Sequence, residues 1–480
     1  MTYIYKQYIN GEWVEASNGG TWEVINPATE EVVQTVPYGT ADDANAAIEA
    51  AARAFPEWAN QTAYKRAAIL KKASDIMRSR LDELARTTTL ECGKPLSQSR
   101  GEWFTAADLF EWFAEECKRV YGRTIPSRVP RKRMTVIKQP IGVVGVITAW
   151  NFPAYNTARA WAAALAAGCT VVAKPAEDTP LTAMEMTNIL VEAGIPTGVM
   201  NLINGEPAPI GQAMLDHPDC RKISFTGSTE VGRILMEGSA RTFTRLGLEL
   251  GGNAPVIVFP DADIARVAKG AVSTKYWNAG QACTGPQRFM VQESALQQFI
   301  DTVVPAVEAL KVGNGLESDV AVGPIINERQ RGRIESLVME GVAHGATVLT
   351  GGSRPAGMDK GFFYQPTVVT NVALDQRLYH EEIFGPVMPI TTFNDVDEAI
   401  YMANQTPYGL AAYVWTNDLN TAIKAYEGLE FGLVGVNEWY PQATEAPFVG
   451  WKASGLGAEA GAEGLEDYLE TKLVSIGNIR

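Results

Sequence analysis

Ile141-Gly-Val-Val-Gly-Val-Ile-Thr-Ala-Trp-Asn-Phe-Pro153 opens the part of the chain that decides the fold. Val143, Val144, Val146 and Ile147 are apolar on both sides of a two-residue repeat, which suits a strand buried on both faces, as strands of parallel sheets are. Outward from it, short apolar runs alternate with longer alanine-rich or amphipathic stretches: residues 142–148, 154–167, 170–173, 181–193, 199–203 and 222–225. That alternation predicts a parallel sheet with crossover helices. Ligands of such sheets bind beyond the carboxyl ends of the strands, which singles out residues 150–153, 174–177 and 225–232.

A second α/β series begins near Gly251, with strands expected at 255–259, 288–292, 347–349 and 387–393. Upstream, a strand pair around 8–14 and 21–24 precedes a helix over 40–58, whose Ala44, Ala47, Ile48, Ala51 and Phe55 share one face. Thr40 with Asp43 forms a capping box with Asp in place of the usual Glu. The pairs Gly251–Gly252 and Gly351–Gly352 read as turns or hinges. Residues 468–476 read as a strand able to pair at the surface with another subunit.

The 480 residues exceed one compact core, so two or three domains are expected, and 46% hydrophobic with 20% charged residues describes a folded protein. A net charge of −14 repels nucleic acid and anionic membranes, so neither is expected as a partner. The basic cluster Arg128, Arg131, Lys132 and Arg133 around Pro130 reads as a solvated hairpin turn. The cysteines (Cys92, Cys117, Cys169, Cys220, Cys283) are odd in number and contain no CxxC pair, so neither a disulfide framework nor a metal site is expected, and a reducing compartment fits. Residues 1–12 hold no apolar run, and no stretch reaches the roughly 18 apolar residues of a membrane span. A cytoplasmic protein is expected.

Three isolated histidines, His217, His344 and His380, make a histidine-based triad unpromising, so a general base would be a carboxylate. Cys283 lies in Asn278-Ala-Gly-Gln-Ala-Cys-Thr-Gly285, where close backbone amides suit a thiolate; an inert buried thiol is an equal reading. Glu249, among leucines before Gly251, reads equally as a base of raised pKa or as a helix-end or ion-paired glutamate. Asn151 ends a strand where its amide can donate to an oxyanion, or it simply forms the turn before Phe152-Pro153. Gly227-Ser-Thr-Glu-Val-Gly232 follows a strand and opens a helix, with Gly227, Ser228 and Gly232 placed to meet a phosphate.

Taken in order, Trp150–Pro153, Lys174-Pro-Ala-Glu177, the 225–232 turn, Glu249–Gly252, the 280–283 loop and Glu382-Ile-Phe-Gly-Pro386 resemble the aldehyde dehydrogenase superfamily from about Tyr8 to Ile476. The resemblance implies an α/β fold with a Rossmann-type NAD-binding domain (residues 1–120 and 141–250), an α/β catalytic domain (251–450), and a small β oligomerisation arm with the C-terminal strand (121–140 and 451–480). It implies Cys283 as nucleophile, Asn151 with the Cys283 backbone N–H as oxyanion hole, Glu249 as the base that activates hydrolytic water, and Glu459 in a proton relay. It also implies NAD, with NADP possible, held by Trp150, Lys174, Glu177, Gly227, Ser228, Gly232, Gly251, Glu382 and Phe384. Glu177 would accept from ribose hydroxyls and repel a 2′-phosphate. No metal is needed.

Within the superfamily the chain resembles the succinic semialdehyde and lactaldehyde-type branch through Gly122-Arg-Thr-Ile-Pro126, Pro447–Gly455 and Gly464–Leu469. That branch places an arginine for the substrate's far carboxylate at Arg159, but its second arginine is Trp277 here, and a relay lysine found in many relatives is Ala160. Tyr155, Trp161, Trp277, Trp439 and Tyr440 are expected near the entrance, with Arg159, Trp277, Trp439 and Tyr155 as substrate residues. The implied substrate is a short aldehyde with an anionic or polar group; an aromatic aldehyde, a CoA-acylating enzyme and a non-catalytic member are the alternatives. A homodimer or homotetramer is implied.

Overall fold

The computed structural model describes residues 3–478; residues 1–2 and 479–480, the outermost ends of the first and last expected segments, lie outside it. Two sheets and a three-stranded arm organise the chain. The first sheet has eight strands in the order Glu12–Val14, Gln7–Ile9, Met200–Leu202, Thr170–Lys174, Val143–Ile147, Cys220–Thr226, Arg245–Glu249 and Gly455–Leu456. Its five central strands run parallel. Val143, Val144 and Val146 are buried, as a strand covered on both faces requires. Helices Pro153–Ala167 and Pro180–Ala193 cover it, and in the first of these the alanines let neighbouring backbones approach closely.

The second sheet has seven strands, in the order Thr347–Thr350, Thr367–Thr370, Val387–Phe393, Pro286–Gln292, Ala254–Val258, Ala411–Trp415 and Leu433–Val436. Four of these match the expected series; 367–370, 411–415 and 433–436 complete it. The step from the first sheet to the second is Leu250 to Asn253, tied down where Leu250 N–H donates to Ser454 O (2.8 Å) and Ser454 Oγ donates to Gly251 O (2.7 Å). These glycines serve close approach. A Cβ on Gly252 would stand 2.6 Å from the Cys283 carbonyl oxygen. Gly351 and Gly352, by contrast, turn with φ of 77° and 82°.

The arm consists of Leu469–Ile476, Arg133–Pro140 and Arg123–Ile125, all antiparallel. The basic residues 128–133 are exposed in the hairpin turn between its last two strands. The helix Ala41–Ala59 starts with Asp43 accepting from the Thr40 N–H (3.0 Å). One expectation needs correction: strands near 8–14 and 21–24 do not pair with each other. Gln7–Ile9 pairs with Glu12–Val14, and Thr21–Ile25 pairs with Val32–Pro37, because each has a tight local turn to fold back on.

Candidate active site

Two loops meet where the sheets face each other. The first leaves strand Val143–Ile147 and carries Trp150, Asn151 and Phe152 into helix Pro153–Ala167. The second carries Cys283 and begins with a turn in which Asn278, Ala279 and Gly280 all take left-handed φ (49°, 53° and 74°). A left-handed alanine costs about 1 kcal/mol, so tertiary contacts must hold this turn. They are present: Asn278 Nδ2 donates to Asn151 O (2.8 Å), Asn151 Nδ2 donates to Gln281 O (3.1 Å), and Gln98 Oε1 accepts from the Asn278 N–H (2.8 Å). The Asn151 amide is therefore fixed against the backbone that leads into Cys283, with Asn156 Nδ2 donating to its Oδ1 (3.2 Å).

Beneath the asparagine lies a buried ion pair that the sequence reading did not single out. Lys94 Nζ pairs with Glu102 and donates to Asn151 O (2.7 Å), while Glu102 Oε1 accepts from the N–H groups of Ala154 (2.7 Å) and Tyr155 (3.1 Å). One carboxylate thus caps the helix that follows Asn151, and its partner cation holds the Asn151 carbonyl. The available signal was Gly93-Lys94-Pro95 between two helical stretches, followed by Glu102 beside Trp103 on a buried helix face that continues through Ala106, Phe110 and Phe113. Glu102→Gln would leave the Lys94 charge buried and unpaired, so a stability loss of about 3–5 kcal/mol is expected by chemical denaturation. Adding Lys94→Met should recover part of that loss; a further drop would contradict the pairing.

Cys283 is half-buried, whereas Cys92, Cys117, Cys169 and Cys220 are buried. Burial pushes the Cys283 thiol up to about 12, with Arg159 opposing and Glu382 and Glu249 adding to the rise. Desolvation thus outweighs the one nearby cation and favours the thiol over the thiolate. Glu249 ends strand Arg245–Glu249, which excludes the helix-end reading. Its carboxyl is raised well above the usual range by burial, and its Oε2 has no hydrogen-bond partner.

Arg159, on helix Pro153–Ala167, is buried, and its charge acts on both Cys283 and Glu249. It forms an ion pair with Glu459, and its guanidinium carbon sits 4.1 Å from the Phe448 ring centroid and 5.0 Å from that of Tyr155. Glu459 Oε1 accepts from Ser224 Oγ (3.1 Å). A cavity of about 360 Å³ is lined by Tyr155, Arg159, Trp277, Cys283, Trp439 and Phe448, among others, with exposed Tyr440 also on its wall. Trp161 is the exception among the entrance aromatics, because it is buried in the core. His344 and His380 are exposed, and no histidine lines the cavity.

On the other side of the loops, at the carboxyl ends of the parallel strands, Lys174 Nζ donates to Pro175 O (3.1 Å) and lies 3.4 Å from Glu177. Ser228 caps helix Thr229–Ser239 by accepting from the Val231 N–H (3.3 Å). Gly232 lets this helix sit on Leu250, since a Cβ there would come 2.7 Å from it. Glu382 Oε1 accepts from the Gly252 N–H (2.9 Å), a Cβ on Gly251 would stand 2.6 Å from its Oε2, and burial pushes its carboxyl up to about 7. Phe384, at φ 52°, meets the Trp150 ring edge-on at 5.4 Å. Carboxylates able to take ribose hydroxyls flank a helix N-terminus able to take phosphate, which is the donor set a nicotinamide dinucleotide needs. Among the described residues there is no cluster that could hold a metal ion, and no helix is long and apolar enough to cross a membrane.

Residues 13–474 match the model of the aldehyde dehydrogenase family. The chain is 45% identical over 469 residues to a succinate-semialdehyde dehydrogenase [NADP(+)] of Escherichia coli (strain K12), covering 98% of this chain and 97% of that one. It is 42% identical over 472 residues to a 3-sulfolactaldehyde dehydrogenase of Pseudomonas putida, again covering 98% and 97%. A solved structure of betaine aldehyde dehydrogenase from Staphylococcus aureus in complex with NAD+ superposes with a TM-score of 0.97 at 39% identity, covering 99% of this chain and 95% of that chain. Sheet order, site geometry and these likenesses agree: the chain belongs to the aldehyde dehydrogenase family.

Proposed function

We propose that this protein oxidises a short aldehyde with an anionic or polar far group to the carboxylic acid, with NAD(P) as acceptor and Cys283 as nucleophile. The observation that carries the reading is Cys283 and Arg159 on the wall of one aromatic-lined cavity, with the Asn151 amide bonded to the backbone that leads into Cys283 and the buried Glu249 near enough for its charge to raise the Cys283 thiol. The Cys283 sulfur adds to the aldehyde carbon as its thiol gives up its proton to solvent water, and the resulting thiohemiacetal oxyanion is stabilised by the Asn151 amide and the Cys283 N–H. NAD(P), when bound, accepts the hydride that leaves the thiohemiacetal carbon, so that a thioester on Cys283 remains. Glu249 then takes a proton from water as it attacks the thioester, releasing the acid and restoring the thiol. A free Glu249 oxygen in a buried site favours hydrolysis over acyl transfer to CoA, and the joint retention of these three residues argues against a non-catalytic member.

In this reading the eight-stranded sheet holds the cofactor and the seven-stranded sheet presents Cys283. Burial raises the Tyr38 pKa, Glu177 and Glu206 both lie close enough to add to the rise, and two carboxylates near the adenosine end favour NAD over a 2′-phosphorylated cofactor. The exposed Leu473 and Ile476 on the open edge of strand Leu469–Ile476 suit self-association, and five unpaired thiols suit the cytoplasm.

Arg159 selects the substrate. It is the cation on the cavity wall, and the two relatives named for succinate semialdehyde and sulfolactaldehyde act on aldehydes with an anionic far end, whereas a cationic tail such as that of betaine aldehyde would be repelled. The aromatic walls alone would also take an aromatic aldehyde, but they leave the buried Nη1 and Nη2 of Arg159 without a hydrogen-bond partner. Arg159→Ala is expected to raise KM for succinic semialdehyde about ten- to hundredfold, the range of a charge-assisted hydrogen bond, and that for butanal far less. Equal changes for the two aldehydes would remove Arg159 from substrate binding.

A further inference from the structure

Arg159 is held from three directions. The Phe448 and Tyr155 rings lie near its guanidinium, and the closest ion-pair contact joins its Nε to Glu459 Oε2. Its Nη1 and Nη2 are buried and make no hydrogen bond. Glu459 is equally constrained. Its backbone exchanges two hydrogen bonds with Phe448 (Phe448 N–H to Glu459 O 2.7 Å, Glu459 N–H to Phe448 O 2.9 Å), and Ser224 holds its other oxygen. Ala460, which follows, is buried with φ 55°, a conformation an alanine adopts only where its surroundings impose it. The ring against Arg159 and the carboxylate beside it are thus one rigid unit. Ala160, the next residue on the helix, offers Glu459 no other cation.

We propose that Glu459 is a specificity-determining residue: by sharing Arg159 it sets how strongly the cavity prefers an aldehyde with an anionic far end. The inference rests on the reading of Arg159 given above. A buried guanidinium with no partner carries a large desolvation cost. Glu459 removes that cost when the site is empty, so the arginine stays in place without substrate. The same carboxylate weakens the field that the two free Nη groups present to an incoming anion. A neutral aldehyde therefore enters a nearly neutral cavity, and an anionic one gains only the unshared part of the charge.

Glu459→Gln keeps the shape and an acceptor oxygen for Ser224 while deleting the charge. The ratio of kcat/KM for succinic semialdehyde to that for butanal is expected to rise about tenfold, with a smaller rise in Glu459→Ala, where the support for Arg159 is also lost. The dissociation constant of succinate, measured by calorimetric titration and so independent of turnover, should fall in the same order. A ratio and a succinate constant unmoved in both variants, with kcat lowered alike for both aldehydes, would overturn the proposal and make Glu459 a proton carrier. If Arg159→Ala in the wild-type background leaves the ratio unchanged, the anionic-substrate reading fails first, and this inference with it.

Discussion

Cys283→Ala is expected to lose aldehyde oxidation by about 10⁴-fold or more, measured as NADH formed per second at saturating aldehyde. Nothing nearby can replace the sulfur. Cys92, Cys117, Cys169 and Cys220 are buried, and none of them lines the cavity. Asn151 and Glu249 would remain, but an oxyanion donor and a water-activating base have no covalent intermediate to serve once the thiol is gone. The resting state of the thiol gives a second measurement. With its pKa at about 12, only a small fraction is thiolate near neutrality, so alkylation of the unliganded enzyme by iodoacetamide should be slow and should rise about tenfold per pH unit across the neutral range. A Cys283→Ala enzyme within tenfold of wild type would refute the covalent mechanism.

The parallel core was readable because burial on both faces leaves an unbroken apolar run such as 143–147, and the crossover helix 153–167 announces itself by its alanines. The arm hairpin was readable from Pro130 and its basic neighbours. What escaped was whatever depends on distant pairing. Strands 411–415 and 433–436 have no local signal that distinguishes them from buried helix, and Glu102 gains its meaning only when Lys94, Asn151 and the first turn of another helix converge on it. The same limit applies inside the site. Glycines around Cys283 suggested a thiolate, yet the burial that sets its pKa comes from residues far away in sequence. Arg159 stood out as a charge among aromatics, but its pairing with Glu459, 300 positions on, was visible only in the fold.

Glu249→Gln should separate the two halves of the reaction. Addition of the thiol and departure of the hydride need the sulfur and the oxyanion donors, so a single NADH per active site is expected in a rapid burst. Hydrolysis needs a base that glutamine cannot supply, so steady turnover should fall about 10²- to 10⁴-fold. The stalled enzyme should carry the acyl group on Cys283, detectable as added mass. In the wild type, burial first, then Glu459 and Asp467, hold the Glu249 carboxyl above the usual carboxylate range against the pull of Arg159. Water activation requires the ionised form, so the hydrolytic rate should rise with pH along a limb displaced above the ordinary glutamate value of about 4.3, and Glu249→Gln should flatten that limb. Full turnover in this variant, with no acyl mass, would remove Glu249 from the mechanism. If added CoA restores turnover in the variant while the wild type ignores it, the thioester is formed and accessible, and the buried carboxylate is what commits it to water.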